Sequence, residues 1–272
     1  MKQNIDEVLK ANDRQKEFYN STREAKKSLP TRLWFSLRNK FLDPFRRTFN
    51  IKSRVYEQHK VWLGDLSDKK ILDLGCLRGN ALSLYMAKNA KEYIGIDLSD
   101  RAIEDLNKKL RKADCPRAKA IAVDFLSSDF KEKDFDIIYA YGVLHHFENL
   151  EILMERIKQK LKIGGTVISY DPLDTSAPVK VLRKLYRPFQ SDKDWEWPFT
   201  KKTMKEFERH FKIEEVRGIL GKSKYGLLIN LLPLKAAYKE KTIKKLIEND
   251  WNAQDPEQVY HCMQVTMLFR NT

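Results

Sequence analysis

The stretch that most constrains this chain is Ile71-Leu72-Asp73-Leu74-Gly75-Cys76-Leu77-Arg78-Gly79-Asn80. Ile71 to Leu74 read as a short strand buried on both faces, because an uninterrupted apolar run suits a covered parallel sheet. Gly75 and Gly79 bracket a turn. From Ala81 onward, Leu82, Leu84, Tyr85 and Met86 supply the apolar positions of a helix. A strand, a glycine turn and a helix make the front half of a nucleotide-binding βαβ unit. Asp73 stands two residues before the first glycine, where a pyrophosphate would need space free of negative charge. A carboxylate there suits a ligand that carries an ammonium group and no phosphate.

Asp97 narrows the choice. It ends a second strand, Tyr93-Ile-Gly-Ile-Asp97, at a distance from which a carboxylate can accept hydrogen bonds from both hydroxyls of a ribose. A nucleoside at one end and an amino acid at the other describe S-adenosylmethionine. The pairing of strand–Asp–x–Gly with strand–Asp resembles the class I S-adenosylmethionine-dependent methyltransferases, whose Asp/Glu-x-Gly-x-Gly-x-Gly loop precedes an acidic residue ending the next strand. The chain departs from that pattern at Leu77, where the middle glycine is expected. Over residues 70–172 the resemblance implies an α/β fold, a doubly wound seven-stranded mixed sheet of order 3-2-1-4-5-7-6. It also implies S-adenosylmethionine as cofactor, S-adenosylhomocysteine as product and no metal. The cofactor positions it implies are Asp73, Gly75, Cys76, Gly79, Asp97 and Leu98, with Tyr141 toward the methionine end. Asp124 would accept from the exocyclic amine of the adenine, and Phe125 and Leu98 would cover its two faces.

The remaining pattern agrees with alternating strands and helices. Helices are expected over 4–20, 30–42, 55–63, 101–112, 150–161, 201–210 and 236–249, with Asp43-Pro44 ending or kinking the second. Strands are expected at Ala120–Val123, Phe135–Ala140 and Thr166–Tyr170. Gly164-Gly165 would cap the helix before the last of these. Phe211–Val216 and Val265–Phe269 alternate as antiparallel strands do. Residues 222–260 between them read as an insertion.

The fourth strand runs into Tyr141-Gly142-Val143-Leu144-His145-His146-Phe147, similar to the loop beside the cofactor's methionine end in small-molecule members of the family. His145 is the expected general base, with His146 and Asp171 as further catalytic candidates and Tyr19 and Tyr170 as orienters. Imidazole titrates near neutrality and suits the task. A loop histidine also serves as an ordinary surface group, and Asp171-Pro172 as a strand-ending turn. The resemblance implies a lid from residues 1–60 on a core of 61–272, with cap segments at 173–200 and 222–260. Trp34, Phe35, Arg183, Arg187, Trp195 and Trp197 would shape a pocket for a partly apolar, possibly anionic small molecule, methylated at oxygen in preference to nitrogen or carbon.

Composition adds a charge question. Net charge is +14, with ten Lys/Arg against two acidic residues between Arg23 and Arg54. Such an excess fits an anionic substrate, a peripheral membrane contact, nucleic acid, or merely a solvated face. The chain shows no recognisable RNA-binding module and no Asn-Pro-Pro-Tyr-like loop after the fourth strand. The charge nonetheless makes an RNA methyltransferase one rival, against which these absences count, and a non-catalytic binding module is the other. Cys76, Cys115 and Cys262 have neither metal-ligand nor disulfide spacing, which points to a reducing, cytoplasmic setting. No apolar stretch follows a basic one at the start, so no signal peptide is expected. The apolar run near Leu227–Leu234 is too short to span a bilayer.

Overall fold

The computed structural model describes residues 5–21, 32, 36, 38–190, 193–253 and 255–272. The strands are β1 Lys70–Leu74, β2 Glu92–Asp97, β3 Ala118–Ala122, β4 Phe135–Tyr141, β5 Leu161–Pro172, β6 Lys212–Ile219 and β7 Gln264–Arg270. They form one sheet of order β3-β2-β1-β4-β5-β7-β6, parallel except where β7 pairs antiparallel with β5 and β6. The helices are α1 Ile5–Ser21, α2 Asp43–Thr48, α3 Ile51–Leu63, α4 Ala81–Asn89, α5 Asp100–Lys112, α6 Leu150–Lys160, α7 Ala177–Tyr186, α8 Lys201–His210, α9 Gly226–Ile229, α10 Ala236–Trp251 and α11 Pro256–Val259.

Successive residues of the central strands point to opposite faces, and both faces are covered. Leu72, Ile138 and Ala140 join one cluster with Leu153, Met154 and Ile157 of α6 and Phe207 of α8. Ile71, Ile137 and Tyr139 join another with Leu63 of α3, Leu82 and Met86 of α4, and Leu106 of α5. This two-sided burial is why the strands read as continuous apolar runs. Asn80 caps α4 by accepting from the backbone N–H of Leu82 and Ser83, Ser99 caps α5, and Thr200 caps α8.

Three expectations need correction. The helix expected over 30–42 lies mostly outside the described residues, Trp34 and Phe35 included. Its end, Arg38–Leu42, is a π-helical turn, and Asp43-Pro44 opens α2 instead of closing a helix. Proline is well placed there, because the N–H it lacks has no intrahelical partner in a first turn. Gly164-Gly165 does not cap α6, which passes directly into β5 at Leu161. The pair instead sits where the β4–β5 register shifts; Gly164 has φ +77 and donates its N–H to Asn271 O at 2.8 Å. Residues 177–186, in the cap segment for which no helix is expected, form α7.

Helix α3 carries a fully buried polar group. Ile51, Val55, His59 and Leu63 recur every four residues on its inner face. His59 is fully buried, with Nδ1 3.1 Å from Tyr139 Oη and Nε2 2.7 Å from Thr266 Oγ1. Thr266 donates its hydroxyl to Ser169 O at 2.6 Å, so Nε2–H must donate to Thr266 and Nδ1 must accept from Tyr139. The neutral tautomer completes the chain. Burial accordingly pushes the imidazole down to about 3.

A lowered histidine stabilises the fold above its unfolded value and loses that contribution as pH falls toward the folded one. From pH 7 to pH 5 the His59 contribution should fall by about 2 kcal/mol. Asp73 opposes it, since burial raises its carboxyl to about 6 and favours acid conditions over part of the same range. The difference between wild type and His59→Gln, followed by denaturant unfolding across this range, isolates the histidine. Parallel stability–pH curves for the two proteins would contradict the neutral buried imidazole.

Candidate active site

The carboxyl ends of β1, β2 and β4 open onto a cavity of about 380 Å³. Such an end is where open α/β sheets hold ligands. The β1–α4 turn forms its floor. Gly75 has φ +66, and a Cβ there would come 2.4 Å from Val143 Cγ2, so the backbone approaches the β4 loop closely because no side chain intervenes. Leu77, at the position of the missing middle glycine, takes φ +47 all the same. Its N–H donates to Asp97 Oδ2 at 3.0 Å, while its side chain is 53% exposed. The loop therefore keeps the left-handed turn a glycine would make, at a cost of about 1 kcal/mol.

Asp97 also accepts from Ser99 N–H at 2.9 Å, and desolvation raises its carboxyl. Beyond it, Leu98, Asp124 and Phe125 line the same wall. Asp124 accepts from Leu126 N–H at 2.8 Å and from Asn12 Nδ2 of α1 at 2.7 Å; burial raises it as well. Helix α1 is moored across this edge by further contacts, Lys16 to Asp100 at 2.9 Å and Ser99 Oγ to Asn20 Oδ1 at 2.7 Å. Asn12 and Gln15 thereby enter the cavity lining, with Lys52 and Tyr56 of α3 opposite. These four, and Asn80, Val143 and Phe147, were not singled out in the sequence. The usable signal was the polar face of an amphipathic helix, which gives no hint of what it faces.

Asp73 is placed differently from its expected role. It is 2% exposed, beneath the turn, and accepts the Tyr93 O–H at 2.7 Å. It is not among the cavity-lining residues and supports the turn from below. Cys76, Gly75, Gly79, Leu98 and Tyr141 do line the cavity.

At the other end of the cavity the two histidines exchange their expected positions. His145 turns inward, with Nδ1 2.8 Å from Asp171 Oδ1, which also accepts the His145 N–H at 3.2 Å. Asp171 is completely buried, and its Oδ2 has no hydrogen-bond partner among the described residues. His146, not His145, lines the cavity. Its Nδ1 is 2.5 Å from Trp195 O, which fixes the proton on Nδ1 and leaves Nε2 as the basic nitrogen. Trp197 N–H donates to His145 O at 2.7 Å. Trp195 and Trp197 thus act on the histidines through their backbone, and their indoles do not line the cavity.

The other expected substrate contacts also lie apart from it. Tyr170 stacks behind Tyr141, rings 4.6 Å apart and 9° from parallel, and Tyr56 meets Tyr141 edge-on at 5.5 Å. Arg183 approaches Asp174 at 3.8 Å, and Arg187 is exposed with one nitrogen on Lys193 O. The side chain of Tyr19 is outside the described structure. Arg183 and Arg187 belong to the cap segment, whose described part is tied back where Leu173 bridges to Phe199.

Residues 72–169 match the Methyltransf_11 family, described as a methyltransferase domain. The sterol 4-C-methyltransferase strm-1 of Caenorhabditis elegans is 31% identical over 106 residues, covering 39% of this chain and 31% of that protein. The tRNA U34 carboxymethyltransferase of Nautilia profundicola is 30% identical over 137 residues, covering 49% of this chain and 43% of that protein. The chain therefore spans less than half the length of either relative. Among solved structures, the geranyl diphosphate C-methyltransferase of Streptomyces coelicolor A3(2) shares the fold at TM-score 0.57 and 14% identity, over 82% of this chain and 81% of that one. The match lies on the strands and turns that build the cavity, so residues 72–169 are similar to a methyltransferase domain.

Proposed function

We propose that this chain transfers a methyl group from S-adenosylmethionine to a small-molecule acceptor, at oxygen in preference to nitrogen or carbon. One observation carries the reading. A single cavity joins the Gly75 turn, Asp97 and Asp124 at one end to Tyr56, Tyr141 and His146 at the other. The cofactor fits the residues present. The missing side chain at Gly75 leaves backbone open to it, Asp97 offers acceptors for ribose hydroxyls, and Asp124 with Phe125 and Leu98 suits adenine. Lys52 supplies a positive charge for a carboxylate. When bound, the cofactor supplies an activated methyl group.

The protein supplies everything else. Tyr56 and Tyr141, edge to face at 5.5 Å, offer an aromatic wall that would keep water from the acceptor. A hydroxyl acceptor must lose its proton as the new bond forms, and His146 Nε2 can take it. His145 and Asp171 hold the loop from behind. Helix α1 and the first turns of α3, both within the lid of residues 1–60, would close the cavity and align the acceptor. The three buried, unpaired cysteines suit a reducing compartment.

The basic surface supports a second reading, an RNA acceptor. Isothermal titration with S-adenosylhomocysteine, with Asp97→Ala as control, tests the cofactor site; the variant should bind about tenfold or more weakly through lost hydrogen bonds. A metabolite extract and a pool of RNA are then each screened for a gain of one methyl group. Methylated RNA alone would replace the small-molecule reading. Binding with no product in either pool would make the chain a non-catalytic module, and no binding would end the proposal.

A further inference from the structure

The insertion between β6 and β7 carries an apolar knob that the active site does not use. Tyr225, Leu228, Leu231, Leu232, Leu234 and Tyr238 are each 43% to 79% exposed over one short stretch of chain. A monomer rarely leaves so many large apolar side chains together in water. The stretch is α9 followed by hydrogen-bonded turns and the start of α10, so its backbone needs no strand or helix partner. Its base is firmly seated. A Cβ on Gly226 would come 2.8 Å from the Phe45 ring, and Leu227 and Ile229 pack with Phe45, Val55 and Ile243. That cluster continues to Tyr141 and Tyr170 beside the cavity.

Charge identifies the occupant. Between residues 222 and 245 the sequence has seven lysines and one glutamate. Lys222, Lys235 and Lys241 are exposed beside the leucines. Leucines framed by lysines match a bilayer interface: apolar side chains enter below the headgroups while ammonium groups meet anionic ones. Nucleic acid offers no use for four exposed leucines. We propose that the Tyr225–Tyr238 knob docks the protein on a membrane surface bearing anionic lipids. None of the described helices is long and apolar enough to cross a membrane, so the contact is peripheral. The inference stands apart from the methyl-transfer reading, because no knob residue lines the cavity.

Flotation of the full chain with phosphatidylcholine vesicles, with and without phosphatidylserine, tests it. The protein should float with the anionic vesicles. Replacing both leucines in Leu231→Ser/Leu232→Ser should weaken binding by about tenfold or more. Lys235→Glu/Lys241→Glu should weaken it by about fivefold per lysine at low salt, and less at high salt. Unchanged circular dichroism and S-adenosylhomocysteine affinity would show that the variants fold. Three results would overturn the proposal. In the first, vesicle binding ignores the leucine changes and follows only charge, which is surface adsorption. Wild type could bind polyuridylate and no vesicle, which makes the face a nucleic-acid surface. Or wild type could be a dimer that Leu231→Ser/Leu232→Ser converts to monomer with no vesicle binding, which makes the knob a subunit interface.

Discussion

Replacing His146 with alanine should lower turnover by roughly a hundredfold or more, with S-adenosylhomocysteine affinity nearly unchanged. The expectation follows from position. His146 lines the cavity, and its Nδ1–H···O bond to Trp195 holds the ring at the cavity wall. His145 spends its Nδ1 on Asp171 and lies behind the wall. His145→Ala should therefore lower turnover less, and it should cost stability, because it leaves the buried Asp171 carboxylate with one partner fewer. Single-turnover measurements on the methylated product identified by screening separate chemistry from binding. If His145→Ala or Asp171→Asn abolishes the chemical step while His146→Ala leaves it intact, the base is the buried pair. If none of the three slows it, the acceptor arrives already deprotonated and the enzyme works by positioning.

Gly75→Ala should nearly abolish cofactor binding. Two costs add at this residue. Its φ of +66 is a conformation that alanine adopts at a cost of about 1 kcal/mol. Its new Cβ would lie 2.4 Å from Val143 Cγ2 and 2.7 Å from Val143 Cβ, so the turn and the β4 loop must part, at about 1–3 kcal/mol. Val143 itself lines the cavity, and pushing it outward distorts the site that Gly75 serves. A loss of at least tenfold in S-adenosylhomocysteine affinity, together with a lower unfolding midpoint, is the expected result. Adding Val143→Ala removes the nearer contact and should recover part of the stability, since the backbone cost at residue 75 remains. Full affinity in Gly75→Ala would mean that the cofactor does not approach this turn.

These two predictions draw on different kinds of information. Gly75, Asp97 and the strand–turn–helix around them are legible in the sequence because local chemistry forces them. A left-handed turn needs a glycine, a doubly covered strand needs an apolar run, and a ribose partner needs a carboxylate at a strand end. The strand order was implied by the family these motifs resemble, and the sheet has that order. Leu77 shows the margin of such reasoning: the surrounding hydrogen bonds hold a non-glycine residue in the glycine conformation.

Which histidine faces the cavity was not legible, because adjacent residues in a loop have no fixed period and diverge according to distant partners. Asp171 on β5 draws His145 inward, and the backbone near Trp195 holds His146 out. The same holds for Asp73, which Tyr93 on the neighbouring strand takes below the turn. His59 lies in the helix expected over 55–63, and Tyr139 and Thr266, from β4 and β7, close around it. Sequence determined this protein where a residue's own backbone and its near neighbours set the constraint. Tertiary structure decided wherever a polar side chain had more than one partner in reach, because burial makes only the fully paired arrangement tolerable.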